Sequence, residues 1–126
     1  PDTILGFEGS ILGKTVTPYS NDTPIRKPEK ITGVDIIIRT YFVPTRSLIK
    51  GIELRKMYPD LPKKSLDDVF LCLGNKYLDG LANYVIPSYQ ESGLIELPDG
   101  GVGQCLTDEH YANRNIVCRK LMDIYE

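Results

Sequence analysis

The sequence predicts an α+β fold in which a short N-terminal β segment precedes a mostly helical region. Two observations support this: β-branched and aromatic residues concentrate just before Pro44, and apolar residues recur at helical spacing after it. A third is the length of 126 residues, a usual size for one domain with a buried core. We therefore expect a strand and loop segment at residues 1–44 and a helical domain at residues 45–126.

The N-terminal segment alternates strand and turn signals. Residues Thr3 to Thr17 hold short apolar groups separated by glycines, which predicts one or two short strands with tight turns. Pro18 to Lys30 is rich in proline, asparagine and charge, and it predicts a surface loop. Val34 to Val43, VDIIIRTYFV, predicts the main strand. Its run of three isoleucines favours a strand covered on both faces.

Helical spacing dominates after Pro44. Thr45 is expected to cap a helix that continues to Tyr58, where following prolines end it. Ser65 precedes a second helix, which should stop at Gly74. A third helix is expected from Asn75 through Val85, and Pro87 then interrupts the pattern.

The last part of the chain predicts a hairpin and a final helix. Short apolar stretches at Leu94 to Leu97 and Gln104 to Leu106 flank a glycine-rich turn. Thr107 is expected to cap a helix that continues to Ile124. Three helices, a hairpin and a further helix follow the order of a winged helix-turn-helix.

Two stretches make the resemblance to winged-helix domains more specific. SLDDVFLCLGN is similar to the second helix and turn of such domains, and YVIPSYQESGLIEL, PDGG and QCLTDE resemble the elements around their wing. Over about residues 45–126 the chain is similar to the winged-helix tails of Fic-type proteins and of helicase-related bacterial regulatory ATPases. No Fic catalytic motif of the HPFxxGNGR kind occurs, so the resemblance implies a binding fold and leaves its target open.

The resemblance implies that the third helix docks in the major groove of double-stranded DNA. The candidate nucleic-acid-binding residues lie along that helix and in the turn before the second one: Lys63, Lys64, Asn75, Lys76, Tyr77 and Asn83. The competing interpretation is an ordinary solvated surface, where lysines are common. Two features oppose DNA binding: the expected wing carries Asp99 without Lys or Arg, and the net charge is -2, from 15 Lys+Arg and 17 Asp+Glu.

Two functional hypotheses follow. The first is a regulatory, non-catalytic nucleic-acid-binding protein that dimerises through its last helix or its N-terminal strands. The second is a protein-interaction or structural assembly module that uses the winged helix or the strand Val34 to Val43 to pair with a partner. A viral or phage origin is compatible with both.

An enzyme is the weakest hypothesis, because the chain has one histidine and no phosphate-binding glycine loop. His110 is interpreted as an exposed residue at a helix start. The three cysteines, Cys72, Cys105 and Cys118, include no CxxC pair, so we expect no metal and no cofactor. Without a membrane-length apolar run or a secretory signal, we expect no membrane partner and a cytoplasmic location.

Overall fold

The computed structural model describes residues 2–20, 24–39, 41–87 and 108–126, which form a mixed α+β fold as predicted. The elements follow in the order β1 (Leu5–Gly6), β2 (Glu8–Ser10), β3 (Ile25–Arg26), β4 (Thr32–Val34), β5 (Ile36–Ile37), β6 (Tyr41–Phe42), α1 (Thr45–Met57), α2 (Asp67–Asp79), β7 (Asn83–Val85) and α3 (Asp108–Tyr125). Within these described ranges, none of the helices has the length and apolar character that a membrane crossing requires.

The strands form two small sheets. The first has the strand order β4-β7-β1-β6, with β1 parallel to β7 and the other neighbours antiparallel. The second has the order β3-β2-β5 and is antiparallel. Only Phe7 separates β1 from β2, so the chain passes directly from one sheet to the other. Because β7 pairs with both β1 and β4, the residues before and after Pro44 share one sheet.

Helix α2 lies at the centre of the core, where it packs against α1, α3 and β5. Its first turn carries Asp67 and Asp68, whose carboxylates interact favourably with the exposed amides of a helix start. Its end is marked by Gly80, which adopts a φ of 66° and reverses the chain. The core around it is apolar and contains, among others, Ile4, Leu54, Leu66, Val69, Leu73, Val85, Val117 and Leu121.

Helices α1 and α2 meet through a pair of glycines. A Cβ atom added at Gly74 would lie 2.8 Å from the Cα and N atoms of Gly51 and from the Lys50 carbonyl oxygen. A Cβ atom added at Gly51 would lie 2.9 Å from the Cα atom of Leu71. The two backbones therefore approach more closely than any side chain at these positions allows.

The predicted third helix is wrong, and so is the predicted stop at Gly74. Helix α2 continues through Gly74 and Asn75 to Asp79, and Asn83–Val85 forms a strand between β1 and β4. Gly74 serves close helix packing, whereas Gly80 supplies the left-handed residue that ends the helix. The apolar spacing after Asn75 fits both a helix and a short strand. Residues 83–85 form a strand because they pair with two other strands.

The single long strand predicted at Val34 to Val43 is also wrong. The chain turns at Asp35, whose carboxylate accepts a hydrogen bond of 2.7 Å from the Leu12 amide, and again at Arg39, where φ is 67°. Three short strands result instead of one. The expectation that the isoleucine run is covered on both faces is confirmed, because all three isoleucines at 36–38 are buried.

The predicted helix caps differ from the observed ones. Helix α1 begins at Thr45 itself, after Pro44, and α2 follows Leu66; neither start has a side-chain capping bond. Ser65 instead adopts a φ of 58° in the turn before α2. The final helix, predicted from the residues after Thr107, is confirmed as α3. The predicted hairpin at residues 94–106 and the Thr107 cap lie outside the described residues.

Candidate functional site

Two of the predicted nucleic-acid contacts, Asn75 and Asn83, are fully buried. The Asn75 amide donates to Thr3 Oγ1 at 2.8 Å and to Asn83 Oδ1 at 2.9 Å, and its oxygen accepts from Ser47 Oγ at 2.7 Å. Asn83 in turn donates to two main-chain carbonyls. The expectation that these two residues are exposed is therefore wrong. Buried amides require hydrogen-bond partners. Those of Asn75 and Asn83 lie on α1, β7 and the N-terminal strand region, so the two residues connect these elements to α2.

Lys76 and Tyr77 of α2 contact the last residues of the chain. The Lys76 ammonium lies 2.7 Å from Asp35 Oδ1 and 3.5 Å from Glu126 Oε2, and the Tyr77 hydroxyl donates to the same Glu126 oxygen. Burial lowers the pKa of Lys76, but the hydrogen bond and charge of Asp35 outweigh that effect and raise it. The Tyr77 ring stacks on Tyr125 with a centroid separation of 4.8 Å. Both side chains are thus occupied by intramolecular contacts.

Lys63 and Lys64 occupy the loop between α1 and α2. The Lys63 ammonium donates to the main-chain carbonyls of Tyr58, Pro59 and Leu61 at 2.9–3.1 Å, so it stabilises the loop after α1. Lys64 is exposed. Of the six residues predicted from the sequence, Lys64 alone combines exposure with the absence of a hydrogen bond or ion pair in the described part of the chain.

A cleft of about 360 Å³ is lined by an ion pair that the sequence analysis did not predict. The Arg114 guanidinium donates to both carboxylate oxygens of Asp68, at 3.1 and 2.8 Å, and lies 4.2 Å from the centre of the Tyr19 ring. Burial lowers the pKa of Arg114, but the hydrogen bond and charge of Asp68 raise it overall. Because the two charges neutralise each other, we assign the pair to the packing of α3 on α2. The partners lie 46 residues apart, and no sequence signal joins them.

The two cysteines in the described chain are unsuited to nucleophilic chemistry. Burial raises the pKa of the Cys72 and Cys118 thiols to about 12, so both remain protonated near neutral pH. His110 is buried, which corrects the expectation of an exposed residue; burial and the nearby Arg114 charge lower its pKa. Cys105 lies outside the described residues. Among the residues at 2–20, 24–39, 41–87 and 108–126, no cluster of three ligating side chains could hold a metal ion.

The outward side of α1 carries apolar side chains that are half-exposed. The side facing α2 is formed by Ser47, Gly51 and Leu54, which are buried. On the opposite side, Leu48, Ile49 and Ile52 are 45%, 50% and 46% exposed, and Arg55 and Lys56 follow one turn later. Spacings of three, four and seven residues place these five side chains on one stripe of the helix. We call Leu48, Ile49, Ile52, Arg55 and Lys56 the outer face of α1.

The outer face of α1 has few electrostatic partners within the described residues. Arg55 lies 3.7 Å from Asp67, and both side chains are largely exposed, so this pair is weak. Lys56 is exposed and has no ion pair or hydrogen bond in the part of the chain that the structure describes. The other basic residues of α1, Arg46 and Lys50, contact Asp79 and Glu53 away from this stripe. The outer face therefore offers both apolar contact area and positive charge.

Compared with protein-family models, curated proteins and solved structures, the chain shows no match.

Proposed function

We propose that the protein is a non-catalytic interaction module that binds a partner protein through the outer face of α1. The observation that carries this proposal is the row of half-exposed Leu48, Ile49 and Ile52 on a regular helix whose other side is fixed to α2. Helix faces with apolar side chains at this spacing commonly bind apolar grooves or helices of other proteins. The close glycine contact beneath packs α1 directly on α2, and a face on a packed helix favours association because less of it has to be ordered on binding.

The gain from covering this face is appreciable. Full burial of a leucine or isoleucine side chain is worth about 1.5–3 kcal/mol, so covering the exposed half of each contributes roughly 1 kcal/mol. Ile11, Val16 and Ile31 lie singly in loops, and the exposed Ile116 and Ile124 lie two turns apart on α3. Contiguous apolar surface marks interaction sites, whereas isolated apolar side chains are normal.

Site-specific photo-crosslinking in the source cells tests the proposal. A photo-reactive residue at Leu48 should give a discrete crosslinked product that Ile49→Ser with Ile52→Ser abolishes. The matched control is Ile116→Ser with Ile124→Ser, because these α3 residues are 50% and 43% exposed. The control should leave the product unchanged. A product that survives the α1 substitutions would refute the proposal, as would the absence of any product.

A second candidate function is nucleic-acid binding by a winged-helix protein. It is supported by the sequence resemblance and by α1, which has four basic residues against one acidic residue. Fluorescence anisotropy with random-sequence duplex DNA at low and physiological salt tests it. Steeply salt-dependent binding that is weakened by substituting Lys56 and Lys64 with alanine would favour this candidate, because both lysines are exposed. Affinity that these substitutions leave unchanged would exclude these two lysines as the DNA contacts.

A further inference from the structure

We infer that the outer face of α1 accepts an acidic amphipathic peptide segment of a partner protein, with carboxylates that pair with Arg55 and Lys56. This inference rests on the proposed function and adds the chemistry of the partner. The apolar residues Leu48, Ile49 and Ile52 would contact the partner's apolar stripe, and the two cations lie at one end of it. A partner with carboxylates at that end would match the face in both polarity and charge.

The charge of α1 contrasts with that of the whole chain. Helix α1 has a net charge of +3, from Arg46, Lys50, Arg55 and Lys56 against Glu53, while the chain has a net charge of -2. A polyanion such as DNA, or an anionic bilayer, would interact with much of the surface and meet this acidic excess. A short acidic peptide would contact only the local basic stripe. The charge distribution therefore favours the peptide.

Packing of α1 against α1 of a second copy does not supply the missing charge. The outer face of α1 contains no carboxylate, and the first turn of α1 contains none. Two copies packed through this face, parallel or antiparallel, would offer Arg55 and Lys56 no carboxylate from the other copy's α1. An interface that includes uncompensated cations is disfavoured, so we assign the face to a different, acidic segment.

Selection from a phage-displayed library of random peptides of about 15 residues, roughly four helical turns, tests this inference. The bait is the full chain, and clones that also bind the Ile49→Ser, Ile52→Ser variant are removed. We expect the remaining peptides to be amphipathic with net negative charge. A synthetic peptide from this set should bind at least tenfold more weakly to Arg55→Glu with Lys56→Glu, and equally well to Ile116→Ser with Ile124→Ser.

The outcomes separate the inference from the proposed function. Peptides that depend on Ile49 and Ile52 but carry neutral or positive charge would overturn the inference and keep α1 as a docking surface. Failure to enrich any peptide over the Ile49→Ser, Ile52→Ser variant would overturn both. Duplex DNA and phosphatidylserine vesicles are tested with the same variants. Binding of either one that Ile49→Ser and Ile52→Ser abolish would overturn the assignment to a peptide.

Discussion

Replacing Gly74 with alanine tests the contact that fixes α1 on α2. The added Cβ atom would lie 2.8 Å from three backbone atoms of Lys50 and Gly51, where ordinary contacts begin at 3.4 Å. Because backbone atoms cannot rotate away, the helices must separate. Overpacking of this kind costs about 1–3 kcal/mol, and we take the upper end because all three contacts are to backbone. The better helix propensity of alanine offsets about 1 kcal/mol, which leaves a net loss of about 2 kcal/mol.

Urea and thermal unfolding followed by circular dichroism measure this loss. For a chain of this length about 4 °C of Tm corresponds to 1 kcal/mol, so Tm should fall by about 8 °C. Gly33→Ala is the matched control, because its added Cβ would meet no atom closer than 3.7 Å. Its free energy of unfolding should change by less than about 0.5 kcal/mol. If Gly74→Ala were as stable as the original chain or more stable, the close helix contact would be refuted.

Three further predictions concern the buried polar groups. Asn75→Ala removes the buried hydrogen bonds that Asn75 makes with Ser47 Oγ, Thr3 Oγ1 and Asn83 Oδ1, so urea unfolding should show a loss of about 2–3 kcal/mol. Asn113→Ala, whose amide has no bond in the described chain, should change stability little, and equal effects would contradict the network. Asp68→Asn leaves the Arg114 charge buried without a carboxylate and should lower the free energy of unfolding by about 3–5 kcal/mol. The control Asp123→Asn removes an exposed pair with Arg119 and should lower it by less than about 1 kcal/mol. Similar losses in the two variants would contradict a buried ion pair. Burial lowers the pKa of His110 in the folded chain, so the unfolded chain takes up the proton first as the pH drops. Stability should therefore fall as the pH drops through about 6.5 and on to the folded pKa. Between about pH 7.5 and 5.5, Tm should fall less in His110→Gln than in the original chain, and an equal dependence of Tm on pH would refute the role of His110.

The positions of two helices could be predicted from local sequence patterns alone. Helix α1 lies within two residues of its predicted start because Pro44 and Pro59 bracket a run of good helix formers. Helix α3 follows from apolar residues at helical spacing. The continuous apolar run at residues 36–38 correctly predicted complete burial, since burial on both faces needs no knowledge of the neighbours.

The candidate site depended on facts that a sequence pattern does not contain. Asn75 and Lys76 were predicted as exposed because Gly74 was interpreted as a helix stop; the approach of Gly51 instead makes Gly74 a packing residue. The spacing of Leu48, Ile49 and Ile52 predicted a helix but did not indicate which of its sides is buried. Which side of α1 is buried depends on where the glycine pair allows α2 to pack.

The sequence by itself determined the α+β composition, the first and last helices and the burial of the isoleucine run, because these depend on local propensity and periodicity. The tertiary structure alone decided that Asn83–Val85 is a strand, that Asp68 neutralises Arg114, and that Leu48, Ile49 and Ile52 face outward. Each of these depends on contacts between residues far apart in the chain. A strand needs neighbours that complete its hydrogen bonds, and a buried charge needs a partner whose position only the packing of the helices fixes.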